Sequence, residues 1–163
     1  MFFFQQNFGL QNRVDYVDLL YIHQPAGDWL AGYRQLEKAY RAGKAKAIGI
    51  SNFEGKYLVE LEQKWEVVPQ FIQVEAHPYF TQKELRKILD KYGIKIMAWY
   101  PLGHGDKALI NEPVFTKLGE KYGKSSAQII LRWHTQMSNS LNLSIGSRLM
   151  RDKGGFRIIF EIN

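Results

Sequence analysis

Short runs of branched and aromatic residues recur along the middle of the chain, separated by stretches in which apolar residues return every three or four positions. Val17 to His23, Lys46 to Ile50, Phe71 to Glu75 and Ile94 to Tyr100 read as buried strands. Counted from His23 to Ile50, Glu75 and Tyr100, their ends are 27, 25 and 25 residues apart, room for a strand, two loops and a crossover helix. The first intervening segment carries Trp29, Tyr33, Leu36 and Tyr40 at helical spacing, with Gly43 at a left-handed stop. The second puts Leu58, Leu61 and Trp65 on one face and ends before Pro69. The third has a capping-box pattern, Thr81 to Glu84, then Leu85, Ile88, Leu89 and Tyr92, and is closed by Gly93. After Tyr100 the glycine-containing loop PLGHGDKALINEP precedes two helical patterns, Val114 to Tyr122 and Ser126 to Met137, with Gly123 between them. Leu141 to Ile145 reads as one more strand.

Repeated β/α units with nearly continuous apolar strands imply a parallel sheet covered by helices, closed as a barrel or open and doubly wound. Periodicity does not choose between them. A complete eight-unit barrel takes about 250 residues, so 163 residues with five recognisable strands predict only part of one. In both architectures the chemistry gathers where strands end and the following loops begin. The polar residues there are His23, Ser51 with Asn52, Gln73 with Glu75, and Tyr100.

Composition narrows the function classes. At 45% hydrophobic and 23% charged, the chain is ordinary globular protein. The net charge of +6 raises the question of a polyanion partner, but Lys and Arg are scattered on helical and strand-flanking positions, and no nucleic-acid motif accompanies them. A phosphate-bearing cofactor suits the same charge. Cysteine is absent, excluding disulfides and thiolate chemistry and fitting a cytoplasmic setting. The opening MFFFQQNFGL does not read as a signal peptide, and no stretch approaches the roughly 20 apolar residues of a membrane span. His77, His104 and His134 lack metal-ligand spacing, so no metal is expected. No phosphate loop, dinucleotide fingerprint or nucleophile elbow is present, which argues against an open-sheet nucleotide fold.

Each strand-end residue carries two readings. His23, before Gln24 and Pro25, can transfer a proton or donate a hydrogen bond at a barrel mouth, or serve as a structural hydrogen-bonding residue. Ser51, Asn52 and Gln73 together suit a planar carboxamide, or begin a turn and satisfy backbone groups. Tyr100, followed by Pro101 and Gly103, offers a flat ring to an aromatic ligand, or packs as a core aromatic. Co-location favours the functional readings, because neighbouring strands of a parallel sheet lie about 5 Å apart and deliver their ends to one pocket.

The segments DYVDLLYIHQP, GKAKAIGISNF, QVEAHPYF and AWYPLG, in this order, resemble consecutive strand-end motifs of the aldo-keto reductases, with wording similar to bacterial diketogluconate reductases. The resemblance runs from about Asp15 to Met137. It implies part of a (β/α)8 barrel, roughly the fourth to eighth units, with residues 15–146 as the barrel portion, 1–14 as an atypical extension and 147–163 as a degenerate cofactor segment. It further implies NADPH-dependent reduction of an aldehyde or ketone, without metal. His23 is then the substrate-orienting member of a catalytic tetrad. Ser51, Asn52 and Gln73 hold the nicotinamide carboxamide, Tyr100 stacks on the ring, and Leu102 and Gly103 line the pyrophosphate path. Ser147 and Arg148 align loosely with the family's adenosine-phosphate turn.

The tetrad's tyrosine, lysine and aspartate belong to earlier strands of the family barrel, and Tyr16, Tyr21 and Tyr33 do not lie in the matching motif. The resemblance therefore implies a truncated chain with little or no reductase activity alone. It also implies exposed sheet edges that invite self-association. The alternative is a non-catalytic NADP-binding or protein-interaction module. The expected partner is a small-molecule carbonyl compound, with no nucleic acid and no membrane.

Overall fold

The computed structural model describes residues 15–103, 107–141 and 158–162. Six strands form one sheet: β1 (Val17–Ile22), β2 (Ala45–Ser51), β3 (Phe71–Glu75), β4 (Lys95–Trp99), β5 (Ser140–Leu141) and β6 (Ile158–Ile162). Their spatial order is β5-β4-β3-β2-β1-β6, and every pair is parallel. Between them run α1 (Trp29–Arg41), α2 (Lys56–Glu62), α3 (Lys83–Leu89) with a following 3-10 turn (Asp90–Tyr92), α4 (Lys107–Ile110), α5 (Pro113–Tyr122) and α6 (Ser126–Gln136).

Strand alternation divides the sheet into two faces. Leu20, Ile22, Ile48, Ile50, Ile72, Val74, Ile96 and Ala98 point to one side, where they form the main core with Tyr33, Leu36, Leu58, Leu61, Leu85 and Leu89 from the helices. On the opposite side lies a smaller cluster of Leu19, Tyr21 and Met97, with Ala47 and Phe71 packed against it. Ser51 and Gln73 share the parity of Ala47 and Phe71, so they belong to this second face, at its carboxyl end. Gly49 lies on it too. A Cβ there would sit 3.0 Å from the Phe71 carbonyl oxygen and 3.2 Å from the Tyr21 Cβ, so the close approach of β1, β2 and β3 depends on a missing side chain.

Below the other end of the strands, a buried carboxylate ties α1 to the segment entering β3. The Glu37 side chain is only 1% exposed; it accepts from the backbone N–H of Glu66 at 2.7 Å and of Val67 at 2.9 Å, and from Arg34 at 2.7 Å. Burial works against its charge, but the Val67 N–H, the Arg34 guanidinium and the Glu66 N–H outweigh it and hold the carboxyl below its ordinary 4.5. The Tyr33 hydroxyl donates to the Val67 carbonyl at 2.7 Å and completes the clamp.

The strand and helix positions follow the sequence periodicity, with several differences: Trp65, expected on the second helix, lies beyond its end at Glu62, and a short helix, Lys107–Ile110, forms inside the segment expected to be a loop after Tyr100. The Thr81 to Glu84 capping box does not form: Gln82 is the N-cap residue, at φ 57°, and no side chain caps the helix. The Thr81 carbonyl instead accepts from Arg86 Nε at 2.9 Å, and the Gln82 amide donates to the Glu75 carbonyl at 3.0 Å, so other short-range bonds hold the turn that enters the helix. A capping box does form at the start of α6, where Ser125 and Gln128 exchange side-chain and backbone bonds. Finally, the sequence periodicity predicts no strand at Ile158–Ile162, yet that segment pairs with β1 and covers the edge that would otherwise face outward. Of the strand expected over Leu141 to Ile145, Leu141 lies in β5 and residues 142–145 lie outside the described residues.

Candidate active site

Parallel pairing brings the polar strand ends together. Ile22 is level with Ile50 and Ser51 with Gln73, so His23, Ser51, Asn52 and Gln73 come from three adjacent strands at one rim. Ser51 and Gln73 are both buried, and Ser51 Oγ donates to Gln73 Oε1 at 3.5 Å. Gln73 Nε2 faces the Met97 sulfur at 3.7 Å, a weak acceptor. The amide is thus held from both sides while one N–H and one carbonyl lone pair remain to be used.

Asn52 leaves β2 at φ 59°, a left-handed conformation that asparagine tolerates better than most residues. Its backbone N–H donates to the Gln73 carbonyl at 2.9 Å, and its side-chain Nδ2 donates to the His23 carbonyl at 3.4 Å. The turn after β2 is thereby stitched to both neighbouring strands. His23 is half-buried, directly beyond the last residue of β1.

Tyr100 follows β4 at φ 49° and is 40% exposed, and its ring lies 4.1 Å from that of Trp99, centroid to centroid, tilted by 49°. It is a rim aromatic rather than a core one. Pro101 and Gly103 behind it are buried, and the Gly103 N–H closes the turn on the Tyr100 carbonyl at 2.8 Å. Gly103 has φ 60°, a region open to glycine at little cost. Leu102 is half-buried between them. Ser147 and Arg148 lie outside the described residues.

Two further histidines are hydrogen-bonded in the structure. His77, after β3, meets Glu75 through Nε2 at 3.0 Å. His134 on α6 is fully buried, with Nε2 2.9 Å from the Pro101 carbonyl and Nδ1 3.0 Å from Asn139 Nδ2. Asn139 Oδ1 accepts from Arg86 at 2.6 Å, and Arg86 also donates to the Met137 carbonyl at 3.1 Å. Burial, the largest influence, pushes the His134 ring below its ordinary 6.5, although the Pro101 carbonyl pulls the other way. The His134 set joins residues from different elements, so only a polar residue on the apolar face of its helix marks it in the sequence, whereas Glu75 and His77 are two residues apart.

Chemically, the rim offers a fixed amide, a buried hydroxyl, a second amide, a half-buried imidazole and an exposed flat ring. This set suits a planar heteroaromatic ligand bearing a carboxamide, next to a group to be polarised.

Comparison with known proteins gives a consistent result. Residues 10–156 match the model of the Aldo/keto reductase family. The chain is 46% identical over 125 residues to glyoxal reductase of Bacillus subtilis, covering 76% of this chain and 45% of that protein. It is 38% identical over 130 residues to 2,5-diketo-D-gluconic acid reductase B of a Corynebacterium species, covering 78% and 47%. Among solved structures, an aldo/keto reductase from Brucella melitensis superposes with a TM-score of 0.72 at 39% identity, covering 79% of this chain and 50% of that one. A mutant of the protein Gox0644 in complex with NADPH gives 0.70 at 33% identity, covering 79% and 48%. The chain thus spans a little under half the length of the curated relatives it matches.

Proposed function

This chain belongs to the aldo/keto reductase family, and from that premise we propose that its rim is the nicotinamide-binding and substrate-orienting side of an NADPH-dependent carbonyl reductase site. The buried Ser51–Gln73 pair carries the reading: two polar side chains are withdrawn from water and held against each other, with hydrogen-bonding capacity left over. A nicotinamide carboxamide fits that capacity. NADPH, when bound, supplies the hydride that converts an aldehyde or ketone to an alcohol.

In this proposal Ser51, Asn52 and Gln73 orient the carboxamide, and Tyr100 lies along the ring. Leu102 and Gly103 keep the backbone low where the phosphates pass, while Ser147 and Arg148 attend the adenosine phosphate. His23 holds the carbonyl oxygen of the substrate by a hydrogen bond. None of these residues takes the role of proton donor, and general acid catalysis is commonly worth about 10²–10⁴-fold. The 163-residue chain is therefore expected to bind cofactor while showing little or no turnover by itself. We place it in the cytoplasm, in keeping with a chain that contains no cysteine. Since β5 and β6 form the two ends of the sheet among the described residues, self-association through them is part of the proposal, and sedimentation over a concentration series checks it.

Titration of the chain with NADPH, followed by nicotinamide fluorescence, tests the binding side, and NADPH consumption with glyoxal tests the chemistry. Saturable binding that weakens in Ser51→Ala, with negligible turnover, is the expected result. Binding unaffected by Ser51→Ala would remove the assigned pocket, and turnover at the level of a complete reductase would overturn the assignment of roles.

A further inference from the structure

Asn139 cannot adopt either amide orientation freely. A guanidinium only donates, so the atom that Arg86 meets at 2.6 Å must be the amide oxygen, which turns the Asn139 NH2 toward His134. His134 Nδ1, 3.0 Å away, must then accept, and the ring's single proton is placed on Nε2, facing the Pro101 carbonyl at 2.9 Å. One residue choice on α3 thus dictates the tautomer of a buried ring on α6, and that ring grips the loop after β4.

We propose that Arg86, Asn139 and His134 are positioning residues that fix the loop after β4, and with it Tyr100 and Gly103, in the conformation that receives the cofactor. The purpose assigned to the loop rests on the reading given above; the grip itself does not. Three features support a role beyond filling space. The His134 side chain is fully buried and both ring nitrogens are committed. The bond it makes goes to the carbonyl immediately after Tyr100, on a turn otherwise closed by the Gly103 to Tyr100 bond. Burial foremost, with Arg86 on α3 and His77 in the loop after β3, disfavours a positive ring and outweighs the Pro101 carbonyl that favours one, so the neutral state that this geometry requires is the one the surroundings select.

Three readings on the full chain test the proposal. Nitrogen NMR of wild-type protein at neutral pH should show His134 neutral with its proton on Nε2; a proton on Nδ1 overturns it. In His134→Phe, amide exchange at Gly103 should accelerate about 10-fold, the equivalent of one lost hydrogen bond, while Ile50 and Ile72 exchange as before. NADPH affinity should fall about 5-fold or more in the same variant. His134→Gln, which offers one donor and one acceptor, should restore both. Unchanged Gly103 exchange in His134→Phe, or failure of His134→Gln to improve on it, refutes the relay. If His134→Phe loosens the whole sheet, the tautomer and the His134→Gln rescue still decide. If Gly103 responds as stated but wild-type protein binds no NADPH, the cofactor reading falls and the grip on the loop stands.

Discussion

Replacing Glu37 by Gln tests whether the buried clamp acts through its charge. The carboxylate serves three donors, two of them backbone N–H groups in the segment entering β3 and one the Arg34 guanidinium. Glutamine keeps the shape and one acceptor oxygen, but loses the charge and presents an NH2 where a donor already points. With hydrogen bonds to charged groups worth about 1.5–3 kcal/mol each, and one acceptor retained, Glu37→Gln should cost about 2–3 kcal/mol at neutral pH. The folded-state carboxyl lies below its ordinary 4.5, so the unfolded chain takes up a proton first as pH falls. The stabilisation is therefore complete above about pH 5, declines through the range below 4.5, and is lost once pH passes the folded value. In that lower range the protonated wild-type side chain resembles glutamine, and the two proteins should converge in stability. Urea denaturation of both proteins from pH 7 down to pH 3 measures the difference. A difference under about 0.5 kcal/mol at pH 7, or one that persists unchanged at pH 3, would show that the clamp does not act through its charge.

Gly49→Ala should destabilise the sheet by about 1–3 kcal/mol, because the new methyl meets the Phe71 carbonyl at 3.0 Å and the Tyr21 Cβ at 3.2 Å; chemical denaturation reads it. Ser125→Ala removes a reciprocal cap from α6 and should cost about 1 kcal/mol in the same assay. Gln73→Leu keeps the bulk beside Met97 but loses the amide, and should weaken NADPH about 10-fold while shifting the apo midpoint little; fluorescence titration separates the two effects.

The fold and the rim were legible in the sequence to the extent that each was encoded locally. Parallel β/α units repeat at a length set by their own geometry, so strand ends near 23, 50, 75 and 100 could be counted, and polar residues closing apolar runs stood out against them. Gly43, Gly93 and Gly123 mark helix stops, and all three take positive φ. What stayed hidden depends on partners distant in the chain. Glu37 reaches residues 29 and 30 positions away, and Arg86 reaches Asn139 across 53, with no local pattern at either end. The lost cap at Thr81 has a nearer origin: Gln82 and Arg86 bond to carbonyls seven and five residues away, in the turn that leads into the helix, in place of the cap. Ile158 to Ile162 has the composition of a buried strand, but falls outside the repeat that identifies the others.

Thermal unfolding of the 163-residue chain with and without saturating NADPH is the most direct test that this rim is a formed cofactor site. At about 100-fold excess over the dissociation constant, binding to the native state alone stabilises it by about 2.7 kcal/mol, which for a domain of this size raises the midpoint by roughly 5–10 °C. The transition should be cooperative, move up by that amount, and move about half as far in Gln73→Leu. A cooperative transition that NADPH leaves in place, or one that shifts equally in Gln73→Leu, would contradict a formed cofactor site at this rim.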